Sequence, residues 1–266
     1  MSETGTVLRA TGLRKEFGGV AAVDGVDLSL RAGGSLGLVG ESGAGKTTVA
    51  RMLVGMTRPT AGTIVACGRD RSRPAGGAKE RRRRGGEVQM VFQNPYGSLD
   101  PRQRVSGAIE EALRLHSGLD SDGRHAEIAR LGELVGLDAR MLGARPPSLS
   151  GGQRQRVAIA RALAARPKVL ILDEAVAALD VSIQAQILNL LADIRAELGV
   201  SYLLISHDLA VVRQATEEAL VMRQGRIVEA GPTDQLLDQP RDPYTKLLRA
   251  SVPGPGWKPV RRRAQV

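Results

Sequence analysis

A chain of 266 residues suits one large α/β domain with appendages better than two independent domains. Its 38 Lys and Arg against 28 Asp and Glu leave a formal charge of +10. That surplus permits contact with nucleic acid or an anionic membrane face without choosing between them. Much of it falls in residues 69–84 and at Arg261, Arg262 and Arg263, and it is read as solvated loops and helix faces. The single cysteine, Cys67, excludes an internal disulfide and a thiolate metal site. It follows Ile64, Val65 and Ala66 and reads as a small buried hydrophobe. Residues 1–9 lack the apolar core of a signal peptide, and no apolar run approaches the roughly 20 residues of a membrane-spanning helix. The protein is expected to be soluble and cytoplasmic, with other chains crossing any membrane it serves.

In chain order, residues 7–13 and 26–30 alternate apolar and polar side chains, as half-buried strands do. A short apolar run at 35–39 leads into a glycine-rich turn, and 47–54 reads as a helix packing Val49, Met52 and Leu53. The stretch 62–93 reads as short strands plus a basic segment at 79–84. From 101 to about 142 apolar residues recur at helical spacing, and Pro146 and Pro147 end that region. A helix at 152–165, a strand at 169–172, a helix at 182–198 and a strand at 202–205 follow. This alternation points to a largely parallel sheet with helices on its faces. Residues 251–266, rich in Pro, Gly and Arg, are expected to be disordered. There is no internal repeat.

Gly40-Glu41-Ser42-Gly43-Ala44-Gly45-Lys46-Thr47 matches the P-loop pattern between an apolar strand and a helix, the context that confirms it. Glycines let backbone N–H groups curl around phosphate oxygens, and the helix N-terminus adds positive potential. Lys46 suits the β- and γ-phosphates, Thr48 follows on the same turn, and the Thr47 hydroxyl suits Mg²⁺. The apolar strand 168–172 ends in Asp173 and Glu174. A buried strand has no use for two carboxylates unless they meet something positive. Beside a P-loop, Asp173 fits the Mg²⁺ anchor and Glu174 the group that polarises an attacking water.

Leu149-Ser150-Gly151-Gly152-Gln153 resembles the signature motif of ABC ATPases. Ser150 alone would make an ordinary helix cap, but with two glycines at a helix start it also forms a second phosphate cradle. The resemblance covers residues 8–248. It implies a P-loop NTPase (RecA-like) α/β core with an N-terminal antiparallel β-subdomain and an inserted helical subdomain at about 94–150, all within one domain at 1–250. It further implies that ATP is gripped between the P-loop of one chain and the Ser150 cradle of another. Gln93 resembles the Q-loop glutamine, which contacts Mg²⁺ and the attacking water. His207 resembles the switch histidine, Phe17 the adenine-stacking aromatic and Asp180 the D-loop aspartate.

A finer resemblance, to the dipeptide/oligopeptide importer ATPases, rests on the run from Asn94 to Arg102, on 179–186 and on Pro243-Tyr244-Thr245-Lys246-Leu247-Leu248. It implies a second, non-identical ATPase, two transmembrane permeases and an extracytoplasmic binding protein as partners, at the cytoplasmic face of the membrane. Two positions depart from the pattern. Ala175 replaces the usual proline, a loss of stiffness of about 1 kcal/mol or less, and Ala177 replaces a serine whose hydroxyl contributes on the order of 1 kcal/mol. Lys46, Asp173, Glu174 and His207 are untouched, so hydrolysis is expected to be intact. Other readings are the ATPase of a nickel, sugar, drug or peptide-export transporter, and a soluble ABC factor acting on nucleic acid or ribosomes. The single P-loop and short helical insert argue against the last.

Overall fold

Strands β1 (Thr6–Phe17) and β2 (Val20–Arg31) form an antiparallel hairpin. Its two-residue turn, Gly18-Gly19, has both φ angles positive, the condition that makes glycine the natural residue there. The computed structural model describes residues 5–93 and 99–250. Both strands outrun the expected lengths because register shifts between Ala10 and Glu16 interrupt the apolar alternation. Strands β4 (Ala61–Ala66) and β5 (Arg69–Asp70) complete this sheet in the order β2-β1-β4-β5. Cys67 departs from expectation. It is half-buried at φ 51, forming with Gly68 the turn between β4 and β5 instead of extending the strand.

The second sheet carries the order β10-β9-β3-β8-β7-β6. Here β3 is Ser35–Val39, β6 Val88–Val91, β7 Val169–Asp173, β8 Ser201–Ser206, β9 Glu218–Arg223 and β10 Arg226–Pro232. All neighbours are parallel except β9 and β10. Every residue of β3, β7 and β8 is buried, as strands covered on both faces must be. The two-residue period of β7 divides the core. Leu170 and Leu172 face one apolar cluster, built with α3 (Val105–His116), α4 (Ser121–Leu134), α6 (Gly151–Leu163) and α7 (Val181–Leu198). Val169 and Ile171 face a second, closed by α1 (Lys46–Leu53) and the antiparallel sheet. A third cluster sets α8 (Leu209–Ala215), α9 (Thr233–Asp238) and α10 (Pro243–Ala250) against Val39 and Val221.

One element differs from the expectation of strands and a basic segment at 62–93: α2 (Ala78–Glu87) is a helix without a buried residue. Nothing apolar marks its period. It stands instead on good helix formers and on the Glu80–Arg84 pair one turn apart, at 2.5 Å. The helical region expected from 101 to about 142 is α3, α4 and α5 (Ala139–Gly143), the last two capped by Asp120 and Asp138. Among the described residues no helix is long and apolar enough to cross a membrane. The expected disorder at 251–266, and residues 94–98 of the finer resemblance, lie outside the described residues.

Candidate functional site

The carboxyl ends of four adjacent strands, β3, β8, β7 and β6, converge on one edge of the parallel sheet, where ligands bind in open α/β folds. The P-loop joins β3 to α1. A Cβ on Gly40 would lie 2.1 Å from the Met222 carbonyl oxygen, and one on Gly45 would lie 2.4 Å from that of Ala22. Only glycine fits this close approach to β9 and β2, and Gly45 adds a φ of 105°. Gly45 is also the N-cap of α1 without a side-chain cap, which leaves the first N–H groups free for an anion. Ser42 and Gly43 are exposed, Ala44 is buried, and Thr48 is half-buried beside Thr47.

Lys46 is 4% exposed. Its Nζ donates to the carbonyls of Gly40 at 2.7 Å and Glu41 at 2.9 Å, and stands 3.9 Å from Glu174 Oε1. Burial pushes its pKa down, and the charges of Glu174 and Asp173 oppose that. Asp173, the last residue of β7, accepts a 3.1 Å hydrogen bond from Thr47 Oγ1. Burial pushes its carboxyl pKa up, against the lowering effect of that bond, and the neighbouring Glu174 charge adds to the rise. A hydroxyl and a buried carboxylate at hydrogen-bond distance are a hard-oxygen pair suited to Mg²⁺.

Glu174 has a φ of 49°, rare for a residue with a side chain, and its N–H donates to Ile205 O of β8. That bend turns its carboxylate into the cluster. Gln93 Nε2, two residues beyond β6, donates to Glu174 Oε2 at 2.9 Å, and His207 Nδ1, just after β8, lies 3.5 Å from Oε1. Lys46, Thr47, Asp173, Glu174, Gln93 and His207 thus form one connected group.

Ser150 to Gln153 form another. Ser150 caps α6 and accepts from Gln153 N at 3.3 Å, while Gln153 Oε1 accepts from Ser150 N at 2.9 Å, a reciprocal capping box. Gly152 is pressed against α7, where an added Cβ would lie 2.5 Å from Ile183 Cγ2. Asp180 caps α7 through Ile183 N. Among the described residues no hydrogen bond or ion pair joins 150–153 to the Lys46 group. Phe17 stands at the hairpin tip, 54% exposed, with Lys15 Nζ 5.0 Å from its ring centroid. The approach of Ala22 to Gly45 brings that hairpin beside the P-loop.

Residues 23–177, more than half of the chain, match the family described as ABC transporter. The chain belongs to that family. Among its relatives are a putative peptide import ATP-binding protein of Brucella abortus, 47% identical over 93% of this chain and 77% of that one, and the dipeptide transport ATP-binding protein DppF of Escherichia coli, 45% identical over 88% and 70%. Among solved structures, cbiO1 from Clostridium perfringens, described as part of the ABC transporter complex cbiONQ, has a TM-score of 0.79 at 26% identity over 88% of this chain and 92% of that one. The ATP-binding cassette MJ0796, a dimer bound to ADP and Pi, has a TM-score of 0.76 at 25% identity over 85% and 98%. This chain is therefore an ABC ATPase, and the RecA-like core, antiparallel β-sheet and helical insert are those of such cassettes. Within the ABC frame, sequence reasoning missed Tyr244 as part of the site. Its hydroxyl accepts from Glu41 N across 203 residues of chain, a distance that no local pattern spans.

Proposed function

We propose that this ABC ATPase drives a peptide importer. The relatives named for peptide and dipeptide transport support that substrate class, as do the segments at 179–186 and 243–248. Its partners are two permeases, an extracytoplasmic binding protein and a second, non-identical ATPase, at the cytoplasmic face of the membrane. We read residues 1–250 as a single domain with the helical subdomain at about 94–150.

The observation that carries the mechanism is the position of Glu174, whose carboxylate meets Gln93, Lys46 and His207 at once. The P-loop N–H groups after Glu41, up to residue 48, cradle the phosphates, Phe17 stacks on adenine, and Lys46 keeps its bond to the Glu41 carbonyl while exchanging that of Gly40 for charge-assisted bonds to the β- and γ-phosphates. Thr47 and Asp173, assisted by Gln93, would hold Mg²⁺, whose charge would offset that of the phosphates. Glu174 orients and polarises the water that attacks the γ-phosphate in line, with Gln93 and His207 fixing its carboxylate. The signature motif of the second ATPase completes the γ-phosphate cradle here, as Ser150, Gly151, Gly152 and Gln153 complete that of the partner, so ATP favours the closed dimer and hydrolysis releases it.

Purification from native membranes in mild detergent tests the assignment. Two membrane subunits and a second ATPase should accompany the chain; recovery with ribosomes or DNA instead would refute it.

A further inference from the structure

The segment from Pro243 to Leu248 carries part of the resemblance to peptide-importer ATPases, yet the mechanism above does not use it. Tyr244, on α10, lies against the P-loop. It is 4% exposed, packed with Val39, Val221 and Leu237, and the Arg223 guanidinium stands 4.9 Å from its ring centroid. Its hydroxyl oxygen accepts a 3.1 Å hydrogen bond from the backbone N–H of Glu41. The carbonyl of that same residue accepts from Lys46 Nζ at 2.9 Å. Glu41 is thus held on one side by the C-terminal helix and on the other by the lysine that meets phosphate.

The tyrosine is itself anchored. Its N–H donates to Asp242 Oδ1 at 2.8 Å. The N–H groups of Arg241 and Asp242 donate in turn to the two carboxylate oxygens of Glu229 on β10, at 2.8 and 3.2 Å. Burial pushes the Glu229 pKa up, but the hydrogen bonds it accepts outweigh burial and hold it below the usual glutamate range. The anchor is therefore charged at neutral pH.

Core packing accounts for the ring but not for a hydroxyl aimed at a P-loop amide. An N–H in a phosphate loop either faces the phosphates or needs another acceptor, since leaving it unpaired is costly. We propose that Tyr244 is a positioning residue for the P-loop: it fixes Glu41, through Glu41 it sets the place of Lys46, and the C-terminal helix thereby tunes nucleotide affinity. Tyr244 touches neither nucleotide nor reacting atoms. The inference deepens the ATP-binding reading and rests on it; that reading fails separately if Lys46→Ala does not weaken ATP binding.

Tyr244→Phe in the full chain removes only the hydroxyl and keeps the ring and its Arg223 contact. One net hydrogen bond corresponds to about a 2- to 10-fold change in an equilibrium constant. The KM for ATP should rise within that range with kcat within about twofold, and the amides of residues 40–46 should exchange hydrogen faster while those of α7 do not change. An unchanged KM at a temperature where the variant is folded, or unchanged exchange in the P-loop, would overturn the proposal. A loss of kcat without a rise in KM would do the same.

Discussion

At Asp173 and Glu174 two adjacent carboxylates meet in a poorly solvated place, with the positive charges of Lys46 and Arg51 close by. Burial shifts Lys46 down and Asp173 up, so each is less comfortable in its charged form than in water. Perturbed groups of opposite sign, held a few ångströms apart at a strand edge, are what a phosphate–metal ligand would satisfy. The left-handed φ of Glu174 adds local backbone strain, as it does for Cys67 and Gln224 at two other strand ends. Glu174→Gln keeps the side chain's size and removes its charge. It should reduce turnover by about a hundredfold to ten-thousandfold, the usual range for loss of a proton-transfer group, and leave ATP affinity within a few-fold. Stopped turnover with retained binding is read by pairing a phosphate-release assay with nucleotide titration, and normal turnover would show the base to be wrongly assigned. The pair Asp173-Glu174 was legible in the sequence because two acids close an apolar strand in a chain that also carries a P-loop; alone they would read equally as a solvated strand end. The Glu41–Tyr244 bond was not, because it depends on α10 folding back beneath β3.

Among the elements, α6 and α7 meet where Gly152 faces Ile183. A methyl group at position 152 would come within 2.5 Å of Ile183 Cγ2, a branch close to the backbone that cannot swing aside. Gly152→Ala should therefore cost about 1–3 kcal/mol through overpacking and lower the Tm by several degrees. Ile183→Ala in the same chain should recover most of the loss, and an additive second loss in thermal unfolding would contradict this account of the contact. The buried strands β3, β7 and β8 were readable as apolar runs, and α6 and α7 as periodic segments between them. By contrast α2 carries charge at seven of its ten positions and buries nothing, so it has no apolar period to read. The turn at Cys67-Gly68 was hidden because the apolar run into Cys67 continues across the residue that leaves the strand.

In the whole molecule, the Lys46 group and residues 150–153 flank the same apolar core yet share no hydrogen bond among the described residues. The Lys46 group sits at the carboxyl edge of the parallel sheet, while Ser150 to Gln153 start a helix packed on α7 and share no described hydrogen bond with it. On the proposed reading, such a chain holds ATP with its own P-loop and a second chain closes the γ-phosphate cradle. The proposed active unit is therefore a pair. Ser150→Arg in the purified chain, at concentrations where it pairs with a second copy of itself, tests it most directly, with ATP affinity and turnover measured on the same preparation. The account predicts ATP affinity within about twofold of the unmodified chain, since the P-loop is untouched, and turnover reduced by about a hundredfold or more, the scale of losing a transition-state donor. Hydrolysis at the unmodified rate by this variant as a strict monomer would contradict it.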